Sequence, residues 1–302
     1  MNDALIVSML SIVPKNPVAR GMGTASRLRL PAWLHRALVR WFVGKYGVDL
    51  SECEGEIDDF PTLADFFVRP LKAGVRPVDP DPDVVVSPVD ARAHTFGQIK
   101  DGMFLQAEGQ PARVAQLLGA DDPRLPGLTA EIANRYEGGQ YAVLYLSPKD
   151  YHRVHTPLEG TVARWRYLPG QLWPVFPAAT RKVAGLFGRN ERLLFELDTS
   201  FGRVAEVMVG AFGVGRMSST VTDLVTNTGG RGVDAPLAPP LPIERAGEIG
   251  RFHLGSTVIL LFEPGQIEWT LEPGQAVRLG RPIARRASNA TANEDNGAPP
   301  VQ

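Results

Sequence analysis

Short apolar segments separated by glycine and proline run through most of this chain, and they constrain its fold more than any other feature. Alternating polarity or β-branched residues predict strands in seven of them, at 84–87, 141–146, 161–167, 192–197, 205–214, 257–262 and 267–271. The short connections between these segments favour antiparallel pairing over parallel strands with crossover helices. We therefore expect a mostly antiparallel β sandwich or barrel.

Helices are expected mainly near the N-terminus, before the strands begin. Residues 31–46 place four large apolar side chains on one face and basic residues on the others: Leu34, Leu38, Trp41 and Phe42. Such a basic amphipathic helix can pack on its own domain or lie in a membrane interface, and periodicity alone does not separate the two. Shorter helices are predicted near 63–67, 112–118 and 128–136, so the expected fold class is α+β.

Composition divides the chain into three regions. We expect a helical region at 1–60, a β-rich domain at 61–283 and a disordered tail at 284–302, where apolar content is lost. Within the domain, residues 229–250 are rich in glycine and proline and predict a long loop.

Bulk properties exclude several classes of function. The formal net charge of −1 offers no general attraction to nucleic acid. The single cysteine, Cys53, excludes an internal disulfide framework, and its acidic neighbours predict a protonated thiol. The apolar run at 4–13 is too short to cross a bilayer, and its N-terminal side lacks the positive charge of a signal peptide.

Two of the five histidines, His152 and His155, lie three residues apart. Such a pair can bind a metal or move protons near neutral pH. We predict no metal site, because no cysteine or carboxylate cluster supplies further ligands at a familiar spacing. The other histidines, His35, His94 and His253, are expected to be structural.

An aspartate and a serine complete the candidate chemistry. Asp90 follows a short β segment and a proline-fixed turn, and Ser256 follows Gly255 at the entrance of an apolar strand. The residue two positions past the serine is Val258, so the sequence lacks the G-x-S-x-G elbow of an α/β-hydrolase. Aspartate, histidine and serine are the elements of an activated nucleophile, although sequence spacing alone does not join them.

From about residue 34 to residue 282 the chain resembles the bacterial phosphatidylserine decarboxylases. The matching pieces are Asp-Phe-Phe-Val-Arg-Pro-Leu at 65–71, Arg-Pro at 76–77, Ser-Pro-Val-Asp at 87–90, Tyr-Leu-Ser-Pro-Lys-Asp-Tyr-His-Arg-Val-His at 145–155, Leu-Phe-Gly-Arg-Asn-Glu-Arg at 186–192, Val-Gly-Ala at 209–211, Gly-Arg-Phe-His-Leu-Gly-Ser-Thr-Val at 250–258 and Val-Arg-Leu-Gly at 277–280. The histidine motif and the Leu-Gly-Ser-Thr site, in this order, are specific to that family.

The resemblance implies a proenzyme that cuts itself between Gly255 and Ser256. Asp90 would orient His155, which would remove the proton of the Ser256 hydroxyl. The products would be a β chain, 1–255, and an α chain, 256–302, that remain paired as a heterodimer. Ser256 would become a covalent pyruvoyl group, the only cofactor expected.

The resemblance also implies the reaction. The pyruvoyl group would form a Schiff base with the amine of phosphatidylserine, and loss of CO2 would yield phosphatidylethanolamine. His152 would serve decarboxylation as proton donor or positioning group. Because the substrate is a bilayer lipid, we expect a peripheral protein on the cytoplasmic side of the cell membrane, with five anchor candidates: Trp33, Leu34, Leu38, Trp41 and Phe42. A homodimer is the commonest prior for the oligomeric state.

The sequence departs from the family pattern at two positions. Ala91 stands where the family usually has glycine, and Phe176 where it commonly has asparagine, which puts a polar contact near the substrate in doubt. Arg192 is a candidate phosphate partner, with a surface or sheet salt bridge as the alternative.

Other functions stay open on the residues alone. A pyruvoyl decarboxylase of a soluble amino acid would carry similar chemistry, and an uncleaved serine hydrolase would use the same Asp90, His155 and Ser256. A lipoyl-like carrier module is disfavoured, since no lysine follows Lys182. A membrane-surface scaffold would leave the two specific motifs unexplained.

Overall fold

The computed structural model describes residues 14–120, 122–125, 128–212, 216–253 and 256–288, with Ser256 described by its backbone alone. Its helices are α1 (Lys15–Ala25), α2 (Ala32–Tyr46), α3 (Leu63–Phe67), α4 (Val114–Leu118), α5 (Glu131–Asn134), α6 (Pro177–Lys182) and α7 (Leu186–Arg189). Its strands are β1 (Val84–Val86), β2 (Ala91–Gln98), β3 (Met103–Ala107), β4 (Gln110–Arg113), β5 (Gln140–Leu146), β6 (Arg153–His155), β7 (Gly160–Leu168), β8 (Arg192–Thr199), β9 (Gly202–Val209), β10 (Met217–Ser219), β11 (Val233–Ile243), β12 (Glu248–Phe252), β13 (Ser256–Phe262), β14 (Ile267–Trp269), β15 (Ala276–Val277) and β16 (Pro282–Arg286).

A large antiparallel sheet forms the centre, with strand order β11–β7–β8–β9–β13–β5–β2–β15. Strand β13 lies between β5 and β9, and its side chains alternate between two cores: Val258 and Leu260 face one, Ile259 and Leu261 the other. Burial on both faces explains its unbroken apolar sequence. In the described residues this sheet is open, so the predicted α+β fold is confirmed with a sandwich, and not a barrel, as its architecture.

Smaller sheets close the sandwich. Strands β1, β16 and β14 form one three-stranded sheet, β10, β12 and β6 form another, and β3 pairs with β4 as a hairpin. The sheet of β10, β12 and β6 matters for function, because β6 carries His155 while β12 ends just before the predicted cleavage site.

The N-terminal helices form a layer with a core of its own. Helix α2 starts after Pro31 and ends at Gly47, whose φ of +71° suits glycine. Its buried residues are His35, Val39 and Phe42; Val39 and Phe42 share a core with the aromatic residues of α3, and the Phe42 ring packs edge-on against Phe66. The buried face is therefore displaced from the predicted stripe, because packing on α3 selects the positions next to it.

The predicted long loop at 229–250 is wrong. Strand β11 and most of β12 occupy it, and β11 pairs with β7 despite four prolines. Proline cannot donate a ladder hydrogen bond, but β11 is the edge of the large sheet, and its register shifts between Pro236 and Leu241. An edge strand tolerates prolines that would interrupt the hydrogen bonding of a central strand.

The expected boundary at 283/284 falls inside strand β16, which pairs with both β1 and β14. Residues 284–286 are therefore part of a sheet, while 289–302 lie outside the described residues. Among the helices described, none is long and apolar enough to span a membrane.

Candidate active site

A tight turn between β5 and β6 presents the two histidines. The Asp150 carboxylate accepts hydrogen bonds from the backbone N–H and the hydroxyl of Ser147, both at 2.7 Å. The N–H of Asp150 donates in return to the Ser147 carbonyl at 3.0 Å. This aspartate turn redirects the chain, so that His152 precedes β6 and His155 ends it.

His155 is buried and held at both ring nitrogens. Nδ1 lies 2.8 Å from the carbonyl oxygen of Ala246, which can only accept, so Nδ1 carries the proton. Nε2 therefore accepts, and the hydroxyl of Tyr151 lies 3.2 Å from it. Burial is the largest cause that lowers the pKa of His155. The imidazole is thus a neutral base with its lone pair on Nε2.

His152 is fully buried and held at one nitrogen. Its Nδ1 lies 2.7 Å from the Asp150 carbonyl, and its ring packs on Phe67 with centroids 4.1 Å apart. Burial lowers the pKa of His152 to about 3, so the ring is neutral. Its Nε2 has no hydrogen-bond partner among the described residues. A buried acceptor without a donor carries a free-energy cost unless another molecule meets it.

Asp90 forms its hydrogen bonds away from His155. Its carboxylate accepts from Arg76 at 2.9 Å and from the N–H of Leu279 at 2.9 Å. In the described part of the chain no hydrogen bond joins the two side chains of Asp90 and His155. They are linked through the backbone, because the N–H of His155 donates to the Pro88 carbonyl at 3.0 Å. The charge of Asp90 also acts to raise the pKa of His155 against the effect of burial.

Ser256 is the first residue of β13, and its backbone pairs with Leu146 at the end of β5. The next residue, Thr257, pairs with Tyr145 on one side and Val209 on the other. Upstream, the N–H of Phe252 donates to the His152 carbonyl at 2.9 Å. Gly255 lies outside the described residues. The chain on both sides of it is therefore fixed to the segment that carries the histidines.

A polar cavity of about 460 Å³ opens beside this segment. Asp90, Asp150 and Tyr151 contribute to its wall, together with Arg69 and Arg76. Arg69 is almost fully buried, and its Nε and Nη1 have no partner among the described residues. The cavity thus contains charged side chains with and without partners, next to the Tyr151 hydroxyl that is hydrogen-bonded to His155.

An apolar cavity of about 490 Å³ lies between the helical layer and the large sheet. Leu38 and Phe42 of α2 line one side, and Phe67, Leu146 and Phe176 contribute to the rest. Phe67 is the residue stacked on His152, and Leu146 is the residue paired with Ser256. The apolar cavity therefore adjoins the same residues as the candidate chemistry, from the side of the helices.

Sequence reasoning missed Tyr151 and Arg76 as site residues. Both lie inside motifs that were recognised, and Arg76 stands beside Pro77, but neither motif indicates which side chain each one contacts. The partner of Arg76 is Asp90, which belongs to a separate motif. The signal that could have identified these two residues is their position within specific motifs, because the sequence does not show which side chains are buried or paired.

Other predicted residues have structural surroundings. Arg192 is buried and donates to backbone carbonyls, those of Leu117 and Asn190 among them, and it forms no salt bridge among the described residues. His253 lies 2.9 Å from the hydroxyl of Ser218, and His94 lies on the wall of the polar cavity. In the described residues no group of three or more histidine, cysteine, aspartate or glutamate side chains is arranged to hold a metal ion.

Cys53 and the anchor candidates are also located. The Cys53 thiol is buried, and burial is the largest cause raising its pKa, ahead of its acidic neighbours. Trp33 is 72% exposed and Trp41 is 55% exposed, whereas Phe42 is buried at 6%. The exposed tryptophans can contact a surface outside the protein, and Phe42 cannot.

Comparison with known proteins identifies the family. The phosphatidylserine decarboxylase family model matches residues 63–285. A phosphatidylserine decarboxylase proenzyme from Anaeromyxobacter sp. (strain K) is 44% identical over 293 residues, which cover 95% of this chain and all of that protein. One from Myxococcus xanthus (strain DK1622) is 42% identical, covering 94% of this chain and 99% of that protein. A third, from Aliivibrio salmonicida (strain LFI1238), is 39% identical over 295 residues, 95% of this chain.

The family match and these relatives place the chain among the decarboxylases, which are carboxy-lyases. The chain belongs to the phosphatidylserine decarboxylase family.

Proposed function

We propose that this protein cleaves itself between Gly255 and Ser256, acquires a pyruvoyl group at Ser256, and decarboxylates phosphatidylserine to phosphatidylethanolamine. The observation that supports this best is the position of Ser256. It begins a central strand whose backbone is paired at the end of β5, a few residues before the two histidines. A new chain end created there would remain in the sheet and beside them.

The surroundings of Ser256 fit a covalent polar group. The Nε2 of His152 and the hydroxyl of Thr257 are buried and have no hydrogen-bond partner among the described residues. Thr257 directly follows Ser256, and His152 is tied to the chain just upstream through Phe252. Buried polar atoms of this kind are expected where a ligand or reactive group supplies the missing partner.

In maturation, His155 is the base. Once the Tyr151 hydroxyl gives up its hydrogen bond to Nε2, the lone pair of this nitrogen takes the hydroxyl proton of Ser256. The serine oxygen then attacks the Gly255 carbonyl, which replaces the peptide bond by an ester. Elimination releases a carboxylate at Gly255, and hydrolysis with one water releases ammonia and leaves the pyruvoyl group. Asp90 stabilises the protonated imidazole by its charge and fixes the turn whose Pro88 carbonyl holds the His155 backbone.

In turnover, the pyruvoyl group supplies an electron sink for the electrons left behind by CO2. We assign His152 to this stage as a positioning group. Its neutral, unpartnered Nε2 would accept a hydrogen bond from the substrate, and the ring of Phe67 packed on it keeps it in orientation. A His152→Ala enzyme that cleaves itself normally and retains full decarboxylase activity would contradict this assignment.

A membrane lipid suits the helical face of the molecule better than a soluble amino acid does. The apolar cavity opens beside α1 and α2, and exposed Met22, Leu28, Trp33 and Trp41 lie on these helices or between them. An exposed apolar surface of this kind with tryptophan at its edge favours the membrane interface. We propose peripheral binding to the cytoplasmic side of the cell membrane.

The two chains of the mature enzyme would stay together. The α chain would begin with β13, which is paired on both sides with strands of the β chain, and would also contribute β16 to the sheet with β1. Separating them would expose the apolar residues of both cores.

Intact mass under denaturing conditions tests the proposal. We expect two fragments that meet at Gly255/Ser256, the smaller lighter by one ammonia than a serine-started peptide, and conversion of phosphatidylserine to phosphatidylethanolamine. A single uncut chain with Ser256 intact after long incubation would refute self-processing and favour an uncleaved serine hydrolase. Cleavage with activity only on a free amino acid would refute the lipid substrate.

A further inference from the structure

Three arginines surround a small cavity of about 190 Å³ at the C-terminal end of α1. Arg20 lies on α1, Arg27 follows it, and Arg216 precedes β10. Arg20 donates to the Asn227 side chain at 3.0 Å. The guanidinium groups of Arg27 and Arg216 have no hydrogen-bond or ion-pair partner among the described residues. Two guanidinium groups are therefore available in this cavity, which we call the arginine cavity.

The wall of the arginine cavity is free of acidic side chains in the described residues. Besides the arginines it presents amide and hydroxyl groups, among them those of Thr24 and Thr228. One carboxylate, Glu191, lies behind the wall, where Thr226 and the N–H of Asn227 donate to it at 2.9 and 2.8 Å. Tyr167 donates to it as well, at 2.7 Å. Since Glu191 is already met by three donors, the arginines retain their capacity for an anion.

The arginine cavity lies next to the cleavage site. The N–H of His253, three residues before Ser256, donates to the Arg216 carbonyl at 3.0 Å. Burial and, after it, the charges of Arg216, Arg251 and Arg27 lower the pKa of His253 to about 4, against the opposing charge of Asp65. An anion bound between these arginines would therefore be close to the position of the new chain end.

The last turn of α1 separates the arginine cavity from the apolar cavity. Gly23 and Thr24 line the arginine cavity, while Met22, Ala25 and Ser26 line the apolar one. A phospholipid needs this arrangement, because its phosphodiester lies between the acyl chains and the amine that reacts. Guanidinium groups suit phosphate because they donate two parallel hydrogen bonds to its oxygens.

We propose that Arg27 and Arg216 bind the phosphodiester of the phospholipid substrate. The inference rests on the proposed function and adds to it the group by which the headgroup is positioned. Arg20 supports the site by its charge while its Nε remains bound to Asn227.

The test compares Arg27→Gln, Arg216→Gln and the double variant with Arg29→Gln, which removes an equally charged residue outside the cavity wall. Decarboxylation is measured on phosphatidylserine in phosphatidylcholine vesicles and on soluble glycerophosphoserine. Adsorption of the protein to the vesicles is measured separately, by sedimentation. We expect the KM for glycerophosphoserine to rise about tenfold in each single variant, as for the loss of one charge-assisted hydrogen bond. The kcat and the extent of self-cleavage should stay near wild type.

Inhibition by inorganic phosphate provides a second measurement, which for the wild-type enzyme does not depend on whether a variant folds. It should inhibit the wild-type enzyme competitively and the double variant much less. An unchanged KM in the variants, an equal loss in Arg29→Gln, or a loss confined to vesicle adsorption would overturn the inference. A wild-type enzyme with no activity on either substrate would instead overturn the proposed function. Should Arg216→Gln fail to cleave, the exposed Arg27→Gln alone decides the outcome.

Discussion

Two cavities of similar size meet at Tyr145, and they differ in chemistry more than in shape. The polar cavity, about 460 Å³, is lined by arginines and carboxylates around Asp90, and the apolar cavity, about 490 Å³, by aromatic and aliphatic side chains around Phe67. The first contains Tyr151, the partner of His155, and the second contains Phe67, the partner of His152. The two histidines thus face different surroundings although they are three residues apart.

The difference supports the proposed division of labour. Charges that support a protonated imidazole are grouped beside His155, the residue proposed to take up a proton once during maturation. Apolar walls are grouped beside His152, where the proposed lipid substrate would bind in every turnover and where a low dielectric strengthens electrostatic effects. Changes to the polar side should therefore alter self-cleavage, and changes to the apolar side should alter turnover.

Removing the base should have the largest effect on the polar side. His155→Ala should slow self-cleavage by about 10³-fold, because general bases contribute roughly 10²–10⁴ to such steps. Intact mass after timed incubation measures the cut fraction. His94→Ala is the matched control, since His94 lines the same cavity and has only a 3.5 Å contact with Thr180. Normal self-cleavage of His155→Ala would contradict the assignment of His155 as the base.

Acid should slow maturation, and the position of the acid limb tests the surroundings of His155. Only the neutral imidazole accepts a proton, and burial holds the pKa of His155 below 6.5. Self-cleavage should therefore be flat from neutral pH down to pH 6.5 and fall by about tenfold per unit only below the folded-state pKa. An acid limb that begins above pH 6.5 would contradict a buried, neutral His155.

Neutralising Asp90 should have a smaller effect on the same step. Asp90→Asn can keep the hydrogen bond from Leu279 but loses its charge against Arg76, so self-cleavage should slow on the order of tenfold. Glu52→Gln is the control, because Glu52 is the other carboxylate paired with Arg76. Equal slowing in both variants would assign the effect to Arg76 and not to Asp90.

Filling the apolar cavity should have the smallest effect and should act on turnover alone. Ala211 is buried in its wall, and Ala211→Leu should raise the KM for phosphatidylserine by about fivefold, in line with one misplaced aliphatic group in an apolar site. Self-cleavage should be unchanged. Ala133→Leu enlarges the same core away from the cavity and should leave the KM as it is. A cleavage defect in Ala211→Leu would show that the two cavities are not independent.

The central strands and α2 could be predicted because their patterns are local. Strand β13 is apolar along its length since both faces are buried, and α2 is bounded by Pro31 and Gly47. Strand β11 could not be predicted, since its prolines are compatible with a strand only at a sheet edge, and edge position is a property of the whole sheet.

The same holds for the site. Sequence motifs identified Asp90, His152, His155 and Ser256 as the residues of interest. They did not show that His155 donates its orienting hydrogen bond to the carbonyl of Ala246, a residue with a φ of +60° on the loop before β12. That contact joins positions far apart in the chain, and no local pattern encodes it.

The sequence by itself determined the family, the antiparallel β-rich fold and the residues proposed to carry the chemistry, because these depend on motifs and on the alternation of short apolar runs. Only the tertiary structure decided which atoms meet. It placed Tyr151 on His155 and Phe67 on His152, and it put two guanidinium groups that have no partner among the described residues close to the segment that leads to Ser256. Hydrogen bonds, burial and charge proximity arise between distant segments, so they exist only once the chain has folded.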